Sequence, residues 1–190
     1  MYKNNYINAF RDTPWKGYYE FWMHLLKPFI YLYLNIIKKV SLGIGSKFYG
    51  FPKVFKHKGS KIVIGLNFEN RNWGYSNPLG INHPTIFCTW KNNAIIKIGN
   101  NVGISGGSIV AANMIEIGDG TIIGANSTII DTDFHPIKSN NRKYDKKNIT
   151  SKPVKIGKNV FIGMNSIILK GVSISDDSVI PAGSIVRNNI

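Results

Sequence analysis

A histidine-proline pair stands where a long internal repeat stops. In the stretch TIIDTDFHPI, His135 is flanked by Asp131 and Asp133. A neutral imidazole, with an ordinary pKa of about 6.5, can take the proton of an attacking hydroxyl at neutral pH, which makes His135 the candidate general base. A carboxylate beside it can fix its tautomer and stabilise the imidazolium that forms. Two apart on an extended chain, Asp131 and Asp133 should project the same way, so spacing does not choose between them. A turn-capping carboxylate is an equally simple reading of either. The chain then runs through PIKSNNRKYDKKNITSKP, residues 136–153, a polar segment that reads as a protruding loop. Long loops of this kind in compact folds are more often functional than accidental. Within it, Arg142 offers a planar guanidinium suited to bidentate contact with a carboxylate or phosphate, or is a solvated loop cation.

The elements that must position these groups are set by a period of six. Aliphatic residues recur at Ile98, Ile104 and Val110, at Ile117, Ile123 and Ile129, and at Ile156, Ile162, Ile168, Ile174, Ile180 and Val186. Gly often follows them, as at Gly99, Gly118, Gly124, Gly157 and Gly163, and small or β-branched residues stand four places on. Helices repeat near 3.6 and sandwich strands alternate at two, so neither explains the pattern. A triangular solenoid does: each hexapeptide forms one face, three make a coil, and the aliphatics stack along the axis. Gly and Asn accommodate the positive φ of its corners. The reading is an all-β parallel β-helix over residues 60–190, preceded by a helical and extended segment over 1–59.

In that first segment, residues 18–40 are rich in aromatic and aliphatic side chains, but Lys27-Pro28 interrupts them. Two short helices are expected, packed on the main domain or touching a membrane surface, since the run is too short and broken to span a bilayer. The 190 residues suit one domain with an extension, and 43% hydrophobic content with 19 Gly excludes disorder. Lys and Arg outnumber Asp and Glu by 24 to 10, which favours an anionic partner: nucleic acid, acidic lipid or a phosphate-rich small molecule. Cys88 is the only cysteine, so no disulfide framework arises within one chain, and it reads as a buried small hydrophobe. No signal peptide is visible, because Arg11, Asp12, Lys16 and Glu20 interrupt the first twenty residues. A cytoplasmic protein is expected, either free or working at the inner face of the membrane.

The blocks IGNNVGISGGSIV (98–110), IEIGDGTIIGANSTIIDTDFHPI (115–137) and KPVKIGKNVFIGMNSIILKGVSISDDSVIPAGSIV (152–186) together resemble the hexapeptide-repeat O-acetyltransferases. The resemblance covers roughly residues 80–190 and is similar to the maltose, galactoside and surface-polysaccharide enzymes. It implies a left-handed winding of the coils, a homotrimer with active sites between subunits, and transfer of an acetyl group from acetyl-CoA to a sugar hydroxyl without a metal. The family's DxxHP-type loop would make His135 the base. Asn113 falls near the acceptor-holding positions, as a loose match or as a turn asparagine, and Arg142 would meet an acidic sugar or a coenzyme phosphate. For the coenzyme, the resemblance implies Phe161 along the pantetheine arm, the Met164 N–H at the thioester oxygen, and Ala182 and Arg187 along the distal groove. Lys170 is a further phosphate candidate. The family's helical cap that pairs with a substrate-binding Asp is not recognisable in residues 1–60.

Two rival functions are weighed. A γ-type carbonic anhydrase would use the same solenoid but needs another histidine downstream of His135, and none follows it. A non-catalytic basic module binding membrane or nucleic acid fits the charge. Aromatics do interleave with lysines between Lys47 and Lys61, but no nucleic-acid motif appears.

Overall fold

The structure, a computed structural model, describes Arg11 and residues 13–190. The remaining residues of the N-terminal segment, 1–10 and 12, lie outside the described set. From Ser41 onward the chain winds as a left-handed parallel β-helix whose strands build three six-stranded sheets among the described residues. The first sheet stacks β1 (Ser41–Leu42), β4 (Lys61–Ile64), β7 (Ile95–Ile98), β10 (Met114–Ile117), β13 (Val154–Ile156) and β16 (Ser173–Ile174). The second holds β2 (Lys47–Tyr49), β5 (Glu69–Arg71), β8 (Gly103–Ser105), β11 (Ile122–Ile123), β14 (Phe161–Ile162) and β17 (Val179–Ile180). The third holds β3 (Lys53–Lys56), β6 (Ile86–Thr89), β9 (Ser108–Ala111), β12 (Thr128–Ile130), β15 (Ile167–Ile168) and β18 (Ile185–Val186).

Parallel register turns the sequence period into ladders of buried side chains. Ile64, Ile98, Ile117, Ile156 and Ile174 stack on the first face, and Ile104, Ile123, Ile162 and Ile180 on the second. Val54, Phe87, Ile109, Ile129, Ile168 and Val186 stack on the third. The inward residue of β9 is therefore Ile109 rather than Val110, five residues after Ile104 and eight before Ile117. Left-handed asparagines at corners, Asn101 (φ 56), Asn126 (φ 62), Asn159 (φ 52) and Asn165 (φ 56), match the expected turn chemistry. Where coils approach most closely only glycine fits: a Cβ on Gly163 would lie 2.4 Å from the Ala182 backbone nitrogen.

Two expectations are corrected. The solenoid begins at Ser41, not at residue 60, because its first coil repeats every six residues through Leu42, Phe48 and Val54 before the turn at residues 57–60 and the loop at 72–85 throw the phase out. And a single helix, α1 (Pro14–Leu32), runs through Pro28 instead of breaking there, continuing into a π turn at Tyr33–Ile37. Proline removes one ladder hydrogen bond, but the flanking turns are anchored, since Met23, Ile30 and Leu34 are buried. Ile30 and Leu34 join the core beside Phe48. The Tyr31 hydroxyl donates to the Ser46 carbonyl at 3.2 Å, and the Tyr49 hydroxyl to Glu20 at 2.8 Å. Burial, reinforced by Glu20, pushes the Tyr49 phenol well above its usual range. α1 thereby packs on the first coil.

Candidate active site

One corner of the prism, where the chain passes from the third sheet to the first, gathers most of the residues singled out for chemistry. β12 ends at Ile130 and β13 begins at Val154, and between them the chain leaves the solenoid as a protruding hairpin. The neck of that hairpin is pinned by an antiparallel bridge between Thr132 and Ser151, with the Asp133 N–H on the Thr150 carbonyl (3.1 Å) and the Lys152 N–H on the Asp131 carbonyl (2.9 Å). His135 emerges exposed just beyond the neck, its N–H donating to the Asp133 carbonyl at 2.6 Å. Phe134 before it holds a left-handed φ of 58°, a conformation rarely adopted outside glycine, and its ring meets Trp90 edge-on at 5.8 Å.

The two aspartates have different surroundings. Asp131 is fully buried, and its carboxylate oxygens accept the N–H groups of Ala112 (2.6 Å) and Asn113 (2.7 Å) on the coil before. Burial pushes its carboxyl up, against the downward pull of those backbone donors. Asp133 is half-buried, with Lys170 Nζ at 2.7 Å on one oxygen and the Thr150 hydroxyl donating to the other. Its partial burial raises the carboxyl, but Lys170 and Thr150 outweigh that and hold it below the usual range. Both carboxylates thus have partners other than the imidazole. Replacing Asp131 by Asn would turn an amide NH₂ toward one of two buried N–H groups. We expect a loss of about 1–3 kcal/mol in a denaturant titration. Asp133→Asn, removing one partly exposed ion pair, should cost about 1 kcal/mol or less. Because Asp133 is depressed in the folded state, its contribution is present above the ordinary carboxylate range and disappears as pH falls through the lowered value.

The other candidates fall into two sets. Asn113 stands exposed on the same corner as His135, one coil earlier, with its carbonyl taken by the Ile95 N–H at 2.9 Å. Asn113 does not adopt a left-handed φ. Arg142 reaches back along the hairpin to donate to the carbonyls of Pro136 (2.8 Å) and Ile137 (2.9 Å), so its guanidinium braces the segment that follows His135. Lys170, expected to meet phosphate, instead joins the histidine corner through Asp133. Arg187 is exposed just past β18, beside a groove of about 320 Å³ at the C-terminal coil. Met164 and Ala182, by contrast, occupy the opposite edge of the third sheet, at the corners between β14 and β15 and between β17 and β18. At 3.3 Å per residue, that edge is roughly 15 Å from the histidine corner. Phe161 lies on the outer face of the second sheet, half exposed and in register between Ile122 and Val179. Cys88 is buried, and burial pushes its thiol up.

Trp90, Phe134 and Thr150 were not singled out from sequence, since each matters through a contact with another coil or the far arm of the hairpin. Among the described residues no cluster of three or more His, Cys, Asp or Glu side chains could hold a metal ion.

Residues 114–132 and 153–187, the blocks flanking the hairpin, match the family described as the hexapeptide repeat of succinyl-transferase. These two blocks carry the repeat; the match extends over them and not over the rest of the chain. Among similar proteins, the galactoside O-acetyltransferase of Escherichia coli (strain K12) is 38% identical over 156 residues, which is 82% of this chain. The chain spans only 59% of that protein's length. The galactoside O-acetyltransferase of Lactococcus lactis subsp. lactis (strain IL1403) is 41% identical over 80 residues, 40% of this chain and 35% of its own. Among solved structures, a variant of AntD, an N-acyltransferase from Bacillus cereus in complex with dTDP and coenzyme A, has a similar fold. Its TM-score is 0.56 at 19% identity, covering 83% of this chain and 78% of that one.

Proposed function

We propose that this hexapeptide-repeat chain is an acyl-CoA-dependent O-acyltransferase that moves an acetyl group from acetyl-CoA to a hydroxyl of a sugar, within a saccharide or surface-polysaccharide precursor. The observation that carries the reading is His135, exposed at the neck of a pinned hairpin beside a left-handed Phe134, in a chain 38% identical to a galactoside O-acetyltransferase. An accessible imidazole on a rigid neck can take the acceptor's proton as its oxygen attacks the thioester carbonyl. The carbonyl carbon gains the sugar oxygen and loses the coenzyme sulfur, and the proton held by His135 leaves with the thiol. No covalent enzyme intermediate is required. The Asp133–Lys170 pair then serves as a clamp that fixes the backbone carrying His135, and Asp131 as the peg that holds the neck to the preceding coil.

The coenzyme groups proposed from family position are Phe161, Met164, Ala182 and Arg187, and Asn113 is proposed to face the acceptor. Met164 and Ala182 stand across a sheet face from His135, so the two halves meet most simply when a neighbouring subunit supplies one of them. A lone solenoid also exposes the stacked Ile122, Phe161 and Val179 to water. A homotrimer is the expected assembly. Multi-angle light scattering at micromolar concentration should return three times the chain mass of 21.3 kDa, and a monomer carrying full activity would contradict a shared site. The proposal as a whole is tested by acceptor-dependent release of CoA thiol from acetyl-CoA across a panel of saccharides.

A further inference from the structure

α1 carries apolar side chains on two sides, and the solenoid uses one. Met23 and Ile30 face the first coil and are buried. Around the helix from them, spaced alternately by four and three, stand Tyr18, Trp22, Leu25, Phe29, Leu32 and Ile36, with 38% to 65% of each exposed. At 1.5 Å per residue this stripe is about 27 Å long. Contiguous exposed apolar surface of that extent marks an interaction site.

Charge identifies the occupant. From Phe21 to Phe68 the chain holds eight lysines and no aspartate or glutamate. Six of these lysines are exposed, and the other two, Lys38 and Lys56, are half-buried. Glu20, at the edge of this stretch, accepts the Tyr49 hydroxyl, and Glu69, at its other edge, is ion-paired to Arg71 at 2.6 Å. A second copy of the chain would bring the same lysines against themselves, which like-charge repulsion disfavours. Nucleic acid would satisfy the lysines but offers no apolar phase for Leu25, Phe29, Leu32 and Ile36. A bilayer with anionic headgroups satisfies both, through apolar side chains at the acyl boundary, tyrosine and tryptophan at headgroup level, and lysines in the surface potential. The helix cannot cross such a bilayer. Its other side is packed on the solenoid, and no helix among the described residues is long and apolar enough to span.

We propose that the outer face of α1, with Lys27 on the helix and Lys38 and Lys39 just after it, docks this protein flat on a negatively charged lipid surface. The inference rests on this surface alone and stands apart from the transferase reading. The test is co-sedimentation of the full chain with phosphatidylcholine vesicles, with and without phosphatidylglycerol. Binding should require the anionic lipid and weaken as salt rises. The triple variant Leu25→Asn, Phe29→Asn, Leu32→Asn changes exposed positions only, and should bind about tenfold more weakly or worse with an unchanged circular dichroism spectrum and melting point. Lys38→Gln with Lys39→Gln should reduce binding and flatten its salt dependence. Three results would overturn the proposal: equal binding to both kinds of vesicle or to neither, variants that bind as the wild type does, or loss of the stripe abolishing a larger oligomer or DNA binding instead of vesicle binding.

Discussion

His135→Ala is expected to lower acyl transfer by about 10²–10⁴-fold, the usual cost of removing a general base, while leaving the fold and coenzyme binding intact. The side chain is exposed and stands outside the ladders that form the core. Its backbone N–H, held by the Asp133 carbonyl, survives the substitution, as do the Thr132–Ser151 bridge and the Asp133–Lys170 pair. The loss should therefore appear in kcat with little change in the dissociation constant of CoA, measured by calorimetry on the same preparation. A variant that retains near-wild-type transfer would move the base elsewhere, and one that loses transfer together with its melting transition would make His135 a structural residue.

Ile129→Ala is expected to destabilise the solenoid by about 2–5 kcal/mol, read from a urea midpoint. Ile129 is fully buried in the third-face ladder, in register between Ile109 and Ile168, and it stands two residues before Asp131. In a stacked fold each coil draws its stability from its own packing and from its neighbours, so a hole here weakens the coils on both sides. It also loosens the strand from which the hairpin departs. Transfer should fall as the temperature approaches the lowered transition, in contrast to His135→Ala, whose loss is the same at every temperature below unfolding. Ile129→Val, which removes one methyl group, should recover most of the stability, at a cost of about 0.5–1.5 kcal/mol.

The ladders were legible in sequence because an inward slot every six residues tolerates little besides aliphatics, and the hairpin because the period stops at it. What the period could not register were the irregular turns. The shift from Val110 to Ile109 follows from the short corner at Gly106–Gly107, and the first coil escaped notice because two insertions divide its slots from the rest. The helix through Pro28 was hidden for a different reason: a proline is judged locally, whereas Ile30 and Leu34 are held by packing against Phe48. At the site, the position of His135 could be read, but the division of labour around it could not. Asp131 and Asp133 are equivalent by spacing. Their roles separate only once stacking brings the amides of Ala112 and Asn113 to one and Lys170, 37 residues on, to the other. Arg142 likewise looked free to meet a ligand until the hairpin's own carbonyls took its guanidinium.

The most direct test of transfer to a sugar hydroxyl is to follow CoA thiol release from acetyl-CoA in the presence of candidate glycans and to locate the acetyl group on the product by NMR. The account predicts release that depends on the acceptor, one acetyl ester on a hydroxyl oxygen per thiol released, and loss of both with His135→Ala. An acetyl group found on an amino-sugar nitrogen, or no acceptor-dependent release with any hydroxyl-bearing saccharide that the protein binds, would contradict it.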